Sequence, residues 1–383
     1  MKVLFISSWY PTDENPITGI FVKEHAKAIK SVNVDIIVLA IIAIRDNSML
    51  KVVHKKYIDE SKIETHQILI KSRFRDVFHH LIPYQQYITY RYCKKYIFKN
   101  FKPDIIHSNV IFPAGIIGDY ISKKIHKPLV ITEHWSKIAS FLKKPYISHL
   151  GKLTYKHAAK ILPVSKYLKS NIKSLLPELE TDKFQVIPNV ISSDIFKYEP
   201  KKLNNDEIHF CAIATWATKK EPDKYPELFI EALSEFQKTN KQTVTLTIIG
   251  GGDKIPGLKK LCQKLSVKTH FTGPLSKKEI ATILQTSDYF LHASRIETFG
   301  IVAIEALMTG TPAICSNVGG LPELINSTNG ILCDNNIEDW TAAINKISHK
   351  TYSNESIAKQ TAEKYSYIAV GTEIYYSYKS ILD

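Results

Sequence analysis

Apolar positions fall in short blocks along this chain. In the first half, blocks at 3–6, 34–40, 68–70, 105–107, 129–132 and 160–164 alternate with stretches of helical spacing such as 21–30 and 147–159. Strands that alternate with helices form parallel sheets. After a polar break at 198–206 the pattern begins again, with strand candidates at 208–215, 244–250, 269–272, 289–292, 312–315 and 330–333. The chain is therefore read as α/β, with two doubly wound, Rossmann-like domains at 1–190 and 191–365. Residues 186–190 (Val-Ile-Pro-Asn-Val) are read as the end of the last strand of the first domain and as a hinge. Two such domains facing each other leave a cleft at their C-terminal strand ends, where open α/β sheets bind ligands. The tyrosine-rich segment 365–382 reads as a helix.

A length of 383 residues favours two domains over a single core, and an apolar content of 44% is ordinary for a globular protein. The opening block, Val3 to Ile6, is too short for the apolar region of a signal peptide and reads as a buried strand. The longest apolar run, 36–44, is far below the roughly 18–20 residues of a membrane span. Cys93, Cys211, Cys262, Cys315 and Cys333 are scattered and odd in number, which argues against a disulfide framework or a structural zinc site. A cytoplasmic setting is expected, with the cysteines as small packing residues. The net charge of +14 is uneven: residues 1–190 hold 30 basic and 15 acidic side chains, and residues 191–383 hold 21 and 22. An anionic partner, nucleic acid or a membrane surface, is thus expected for the first half.

Residues 294–323 hold the densest chemistry. Thr298 is placed as the N-cap of a short buried helix carrying Ile301, Ile304, Ala306, Leu307 and Met308, stopped by Gly310 and sealed by Pro312. Glu297 precedes this helix and Glu305 lies inside it. Gly300 lets a ligand approach the first turn, where free N–H groups and the positive dipole end favour a phosphate. Carboxylates repel phosphate, so the natural partners of Glu297 and Glu305 are hydroxyl groups. A phosphate flanked by polyols is a nucleotide sugar. The plainer reading of the pair is a buried helix with a solvated glutamate at each end.

The two acids with seven residues between them, Thr-Phe-Gly after the first and Gly-Thr-Pro after the helix, resemble the retaining glycosyltransferases of family 4. The resemblance implies the two-domain GT-B fold, with the last helix, 366–383, crossing back to the first domain. It also implies that Glu297 contacts hydroxyls of the transferred sugar. The amides of Thr298, Phe299, Gly300 and Ile301 would hold the diphosphate, and Glu305 the ribose. By the same match Gly19 contacts the donor through its backbone, although the family often has two adjacent glycines there. His134, after a strand ending at Thr132, falls on a histidine that touches the sugar, and His107 is left as structural or acceptor-side. Gly250-Gly251-Gly252-Asp253 corresponds to a turn on the nucleotide side, or is simply a tight strand-to-helix turn.

The clearest departure is the loop 214–224. The family carries a Gly-Arg turn and then a lysine, both neutralising the leaving diphosphate. Lys224 falls on the lysine, but no arginine is present; Trp216 takes roughly its place, so that Lys219 or Lys220 supplies the second charge or one cation is missing. The chain has no Asp-x-Asp sequence, and neither a metal nor another cofactor is expected. The expected reaction is transfer of a sugar from a nucleotide diphosphate sugar to an acceptor hydroxyl with retained anomeric configuration.

Residues 71–102 set Lys71, Arg73, Arg75, Arg91, Lys94, Lys95, Lys99 and Lys102 against the single acid Asp76, interleaved with nine Phe and Tyr residues. Basic amphipathic helices of this kind bind anionic membranes, and Lys143, Lys144 and Lys152 extend the patch. A glycan or lipid-linked acceptor is expected, with the enzyme peripheral on the inner face of the cytoplasmic membrane and no nucleic-acid partner. A solvated helix face with inward aromatics is the plainer reading of this stretch. Two rivals are a non-hydrolysing sugar-nucleotide epimerase of the same architecture and a basic nucleic-acid-binding protein.

Overall fold

The structure is a computed structural model that describes every residue except 136–137, 142–144, 202–206, 219–223 and 241. It divides into two compact units: Met1–Val190 with Tyr367–Asp383, and Ile191–Ser366.

Unit 1 is built on seven strands: β1 (Lys2–Ser7), β2 (Asp35–Arg45), β3 (Lys51–Ile58), β4 (Glu64–Ser72), β5 (Ile105–Asn109), β6 (Leu129–Glu133) and β7 (Lys160–Pro163). Their order is β3-β4-β2-β1-β5-β6-β7. All neighbours are parallel except β3 and β4. Val3, Leu4, Phe5 and Ile6 are fully buried at the centre, as the continuous apolar block of a strand covered on both faces requires. The antiparallel edge strand β3, absent from the sequence expectation, has a different composition. Its Lys51, Lys55 and Lys56 interrupt the apolar pattern, and charge on an edge strand discourages pairing with another chain.

The expected strand at 186–190 does not form. Gln185 and Ile187 donate backbone hydrogen bonds to Ile161 and Pro163 of β7 at 3.1 Å each. The return bond from position 163 is impossible because proline has no N–H, so the pairing stops as a half-ladder. The predicted helix 365–382 is divided at Ser366, and the helix that packs in unit 1 is Tyr367–Leu382. Its Val370, Ile374 and Tyr378 are fully buried in one cluster with Val22, Ala26, Ala28 and Ile29 of helix Ile20–Ser31.

Unit 2 is a six-stranded sheet of β8 (Glu207–Ile213), β9 (Thr243–Ile249), β10 (Lys268–Gly273), β11 (Tyr289–His292), β12 (Ala313–Ser316) and β13 (Gly330–Cys333). The order is β10-β9-β8-β11-β12-β13, parallel throughout. Counted within the unit this is 3-2-1-4-5-6, the doubly wound order whose topological switch lies between its first and fourth strands. The switch point therefore falls between β8 and β11. Phe210, Phe229, Phe236 and Trp340 fill the core. All five cysteines are buried and unpaired.

Candidate active site

The loops that follow β8 and β11 meet at the switch point of unit 2. Lys224 forms an antiparallel bridge with Ser294, and the Tyr225 N–H donates to the Ala293 carbonyl at 3.1 Å. Ser294 is pinned in turn: its N–H donates to Ser316 Oγ at 2.9 Å and its carbonyl accepts from Asn335 Nδ2 at 2.9 Å. This pairing brings together side chains 73 positions apart. Lys224 Nζ lies 2.6 Å from Glu297 Oε2, and the same oxygen accepts from His292 Nε2 at 3.0 Å. The other carboxylate oxygen accepts the Thr298 N–H at 3.1 Å.

Glu297 and Lys224 are mostly buried, with 17% and 16% of their side chains exposed. Burial alone pushes the Glu297 carboxyl up, but the His292 hydrogen bond and the Lys224 charge outweigh it and hold the group well below the usual carboxylate range. The His292 pKa is lowered too, by burial first and then by the Lys224 charge, so here the ring is left neutral and Nε2–H donates to the carboxylate. The sequence reading missed His292. A signal was there: His292 is a polar residue ending an apolar strand at the edge where open α/β sheets bind ligands.

The helix after Glu297 runs Ile301–Met308, and the residue ahead of it is Gly300, not Thr298. Gly300 has φ 103°, a left-handed conformation that a β-carbon disfavours, and an added Cβ would also meet Leu321 at 2.7 Å. Thr298 therefore lies too early to cap; its amide is spent on Glu297. Phe299 is 4% exposed and packs edge-on against Tyr365. The first-turn N–H groups at Ile301 and Val302 precede the first intrahelical bonds, which run from Ala303 and Ile304 to the Gly300 carbonyl, so the helix start lies two residues beyond the expected cap. Glu305, 8% exposed, stands one turn after Ile301 on the same stripe. Beneath the acid, Gly319 has φ 58°; a β-carbon there would strike the Glu297 carbonyl at 1.8 Å, so this glycine is what lets the loop carrying Glu297 settle on it.

Trp216 is 2% exposed, its indole donates to the Ile249 carbonyl at 2.9 Å, and its N–H donates to the Gly251 carbonyl at 2.9 Å, stitching the loops after β8 and β9. Gly250-Gly251-Gly252-Asp253 is correspondingly a packed turn, with Asp253 accepting the Thr218 N–H at 2.7 Å. Lys219 and Lys220 lie outside the described residues. Lys254, which the sequence reading did not single out, donates to the Lys224 carbonyl at 2.8 Å.

In unit 1 the switch point lies between β1 and β5. Gly19 precedes helix Ile20–Ser31 and lies against the Trp9 backbone. His134 follows β6; its Nδ1 is 2.9 Å from Asn189 Oδ1 and its Nε2 is 3.4 Å from Asn109 Oδ1. Burial, then the neighbouring His25, holds His134 neutral. Phe21 packs on its ring at 4.8 Å, and Trp9 and Trp135 meet edge-to-face at 6.0 Å. Fully buried Glu133 fixes this corner, accepting from the N–H groups of Ile111, His134 and Trp135 and from the Tyr155 hydroxyl at 2.9–3.0 Å. His107 is structural: it is buried, bonded to Thr132 Oγ1 at 2.7 Å and to the Tyr378 hydroxyl.

The basic stretch is more broken than a single amphipathic helix. Lys71 belongs to β4 and pairs with Glu14 at 2.7 Å; short helices Arg75–His80 and Ile82–Tyr92 follow. Lys152 is exposed on helix Pro145–His157, and Lys143 and Lys144 lie outside the described residues. Among the described residues no helix is long and apolar enough to cross a membrane.

Comparison with known proteins agrees with this architecture. Residues 19–194 match the model of Glycosyltransferase Family 4, and residues 212–364 match that of Glycosyl transferases group 1. An uncharacterized glycosyltransferase of Methanocaldococcus jannaschii is 27% identical over 294 residues, 72% of this chain and 76% of its own length. The apo form of the lipopolysaccharide outer core galactosyltransferase WaaB superposes with a TM-score of 0.71 at 18% identity, over 99% of each chain. HepE of Anabaena, in complex with UDP and glucose, gives 0.68 at 16% identity, over 99% of this chain and 100% of that one. With both units matched and the fold shared, the chain belongs to the glycosyltransferases of the GT-B fold.

Proposed function

We propose that this glycosyltransferase moves a sugar from a nucleotide diphosphate sugar to an acceptor hydroxyl with retention, and that its acceptor is a lipid-linked or cell-surface glycan intermediate. The observation that carries the donor side is the contact of Glu297 with both Lys224 and His292, immediately ahead of the helix start behind Gly300. A carboxylate held ionised accepts hydrogen bonds from sugar hydroxyls. An ammonium has three donors, so Lys224 serves a phosphate oxygen while still holding Glu297. The helix start adds amides aimed at the same anion, and Glu305 accepts from the ribose. HepE, a structure of the same fold, binds UDP and glucose. In unit 1, Gly19 and His134 are the proposed contact residues.

The acceptor oxygen attacks the anomeric carbon on the face from which the diphosphate departs. The new C–O bond forms as the bond to phosphate breaks, and the departing phosphate oxygen takes the acceptor proton. Lys224 and the first-turn amides stabilise the charge that develops there, so no metal enters the scheme. The glycosyltransferase matches favour transfer over the epimerase and nucleic-acid readings.

Release of nucleotide diphosphate from a panel of nucleotide sugars, with NMR of the product anomer, tests the reading. Glu297→Ala is expected to reduce turnover by two orders of magnitude or more (about 3 kcal/mol of transition-state stabilisation), and EDTA to leave it unchanged. Unchanged turnover in Glu297→Ala removes the assignment; an inverted product removes the same-face step.

A further inference from the structure

Exposed apolar side chains of unit 1 gather where two segments distant in sequence are knitted together. The tip between β2 and β3 presents Met49 (60% exposed) and Leu50 (40%), while the start of helix Arg75–His80 presents Phe74 (46%) and Val77 (61%). The two are bound as one surface: the Arg73 N–H donates to the Ser48 carbonyl at 2.8 Å, Ser72 Oγ donates to the Met49 carbonyl, and Arg75 Nε donates to the Ala43 carbonyl at 3.1 Å. Leu81, 42% exposed, follows the same short helix.

The rim of this surface is basic. Arg45, Lys51, Arg73 and Arg75 stand on it against Asp46 and Asp76. Arg45 and Arg75 share the one carboxylate of Asp76, each at 3.0 Å, so two guanidinium charges meet a single acid. Other aromatics of the basic stretch are placed differently: Phe101 is 6% exposed, Tyr92 and Tyr96 lie against His54, Tyr90 packs on Phe98 and Tyr120, and the exposed Tyr87 (54%) sits on the following helix with Arg91 over its ring.

We infer that Met49, Leu50, Phe74, Val77 and Leu81, rimmed by Arg45, Arg73 and Arg75, form the surface by which unit 1 sits on an anionic lipid bilayer. This rests on the lipid-linked acceptor of the proposed function and narrows the membrane contact from the whole stretch 71–102 to two clasped segments, one of which lies outside it. Exposed apolar tips within a basic rim fit a membrane interface: the side chains enter the acyl boundary while the guanidinium groups meet lipid phosphates. An acidic protein partner would satisfy the rim, but not five exposed apolar groups carried on the β2–β3 connection and on and beside a two-turn helix.

The test is flotation of the full chain with vesicles of phosphatidylcholine alone and of phosphatidylcholine mixed with phosphatidylglycerol. The wild type is expected to float with the anionic vesicles only. Arg73→Gln should weaken partitioning about fivefold, the effect of one basic residue at a charged surface. Met49→Ser with Leu50→Ser should weaken it by about an order of magnitude through lost apolar insertion. Nucleotide release by donor hydrolysis, in which water takes the place of the acceptor hydroxyl, measured without vesicles, should be unaltered in these variants, since none touches the Glu297 cluster, and this separates loss of docking from loss of the enzyme. Equal flotation of variants and wild type, or wild-type binding that ignores phosphatidylglycerol, overturns the surface. Donor turnover that persists in that case leaves the glycosyltransferase reading standing.

Discussion

His292 occupies the position from which the charge of Glu297 is controlled, and its consequence is kinetic. A neutral imidazole donating at 3.0 Å to the oxygen that also meets Lys224 fixes the carboxylate without adding charge. His292→Phe removes the donor but leaves Lys224 in place, so the acid stays ionised and loses only its orientation. Turnover is expected to fall about tenfold, the scale of one lost orienting hydrogen bond of about 1.4 kcal/mol, while affinity for the nucleoside diphosphate of whichever donor turns over, measured by calorimetry, stays within twofold. A matching fall in that affinity would make His292 a structural support for the whole pocket. The acid at 297 was legible because its chemistry is local, a carboxylate beside a glycine and a helix. Its pairing with Lys224 was not, since it depends on a β-bridge between loops 70 positions apart. The wrong N-cap has a similar cause: threonine is a strong capping residue, but the backbone reaches the helix through Gly300 in a conformation that favours glycine.

Strands buried on both faces announce themselves as apolar blocks, and every such strand was legible. β3, whose Lys51, Lys55 and Lys56 break up its few apolar groups, has no block to read, and its antiparallel pairing with β4 follows only once the hairpin exists. The buried polar residues of these elements carry a pH dependence. His25 and His107 are fully buried, and desolvation lowers them from 6.5 to about 4 and about 3. The unfolded chain protonates both below 6.5 while the native unit does not, so stability is full above that value and is lost as pH falls toward the native values. Each histidine then costs about 2 kcal/mol by about pH 5. Urea denaturation at about pH 7.5 and about pH 5 is expected to show this loss, and His107→Asn to shrink the difference by about 2 kcal/mol. An unchanged difference would place the acid sensitivity elsewhere.

At the scale of the molecule, the chain leaves unit 1 at Val190 and returns to it at Tyr367. The tyrosine-rich final segment read as a helix, but no local pattern says which core it completes; that came from family resemblance. Its structural weight can be put in numbers. Val370, Ile374 and Tyr378 are fully buried among Val22, Ala26, Ala28 and Ile29, and Tyr378 also holds buried His107. At about 2 kcal/mol for each fully buried apolar side chain, the three contribute about 6 kcal/mol, comparable with the whole stability of an ordinary domain at about 5–15 kcal/mol. Deleting 367–383 should therefore unfold unit 1 while unit 2, whose core shares none of these residues, keeps its fold. Limited proteolysis with mass spectrometry is expected to cut the truncated chain within 1–190 and to leave a resistant fragment spanning 207–364. Resistance of both units would show that the helix merely covers a core that stands without it, whereas loss of both would mean that the units fold as one.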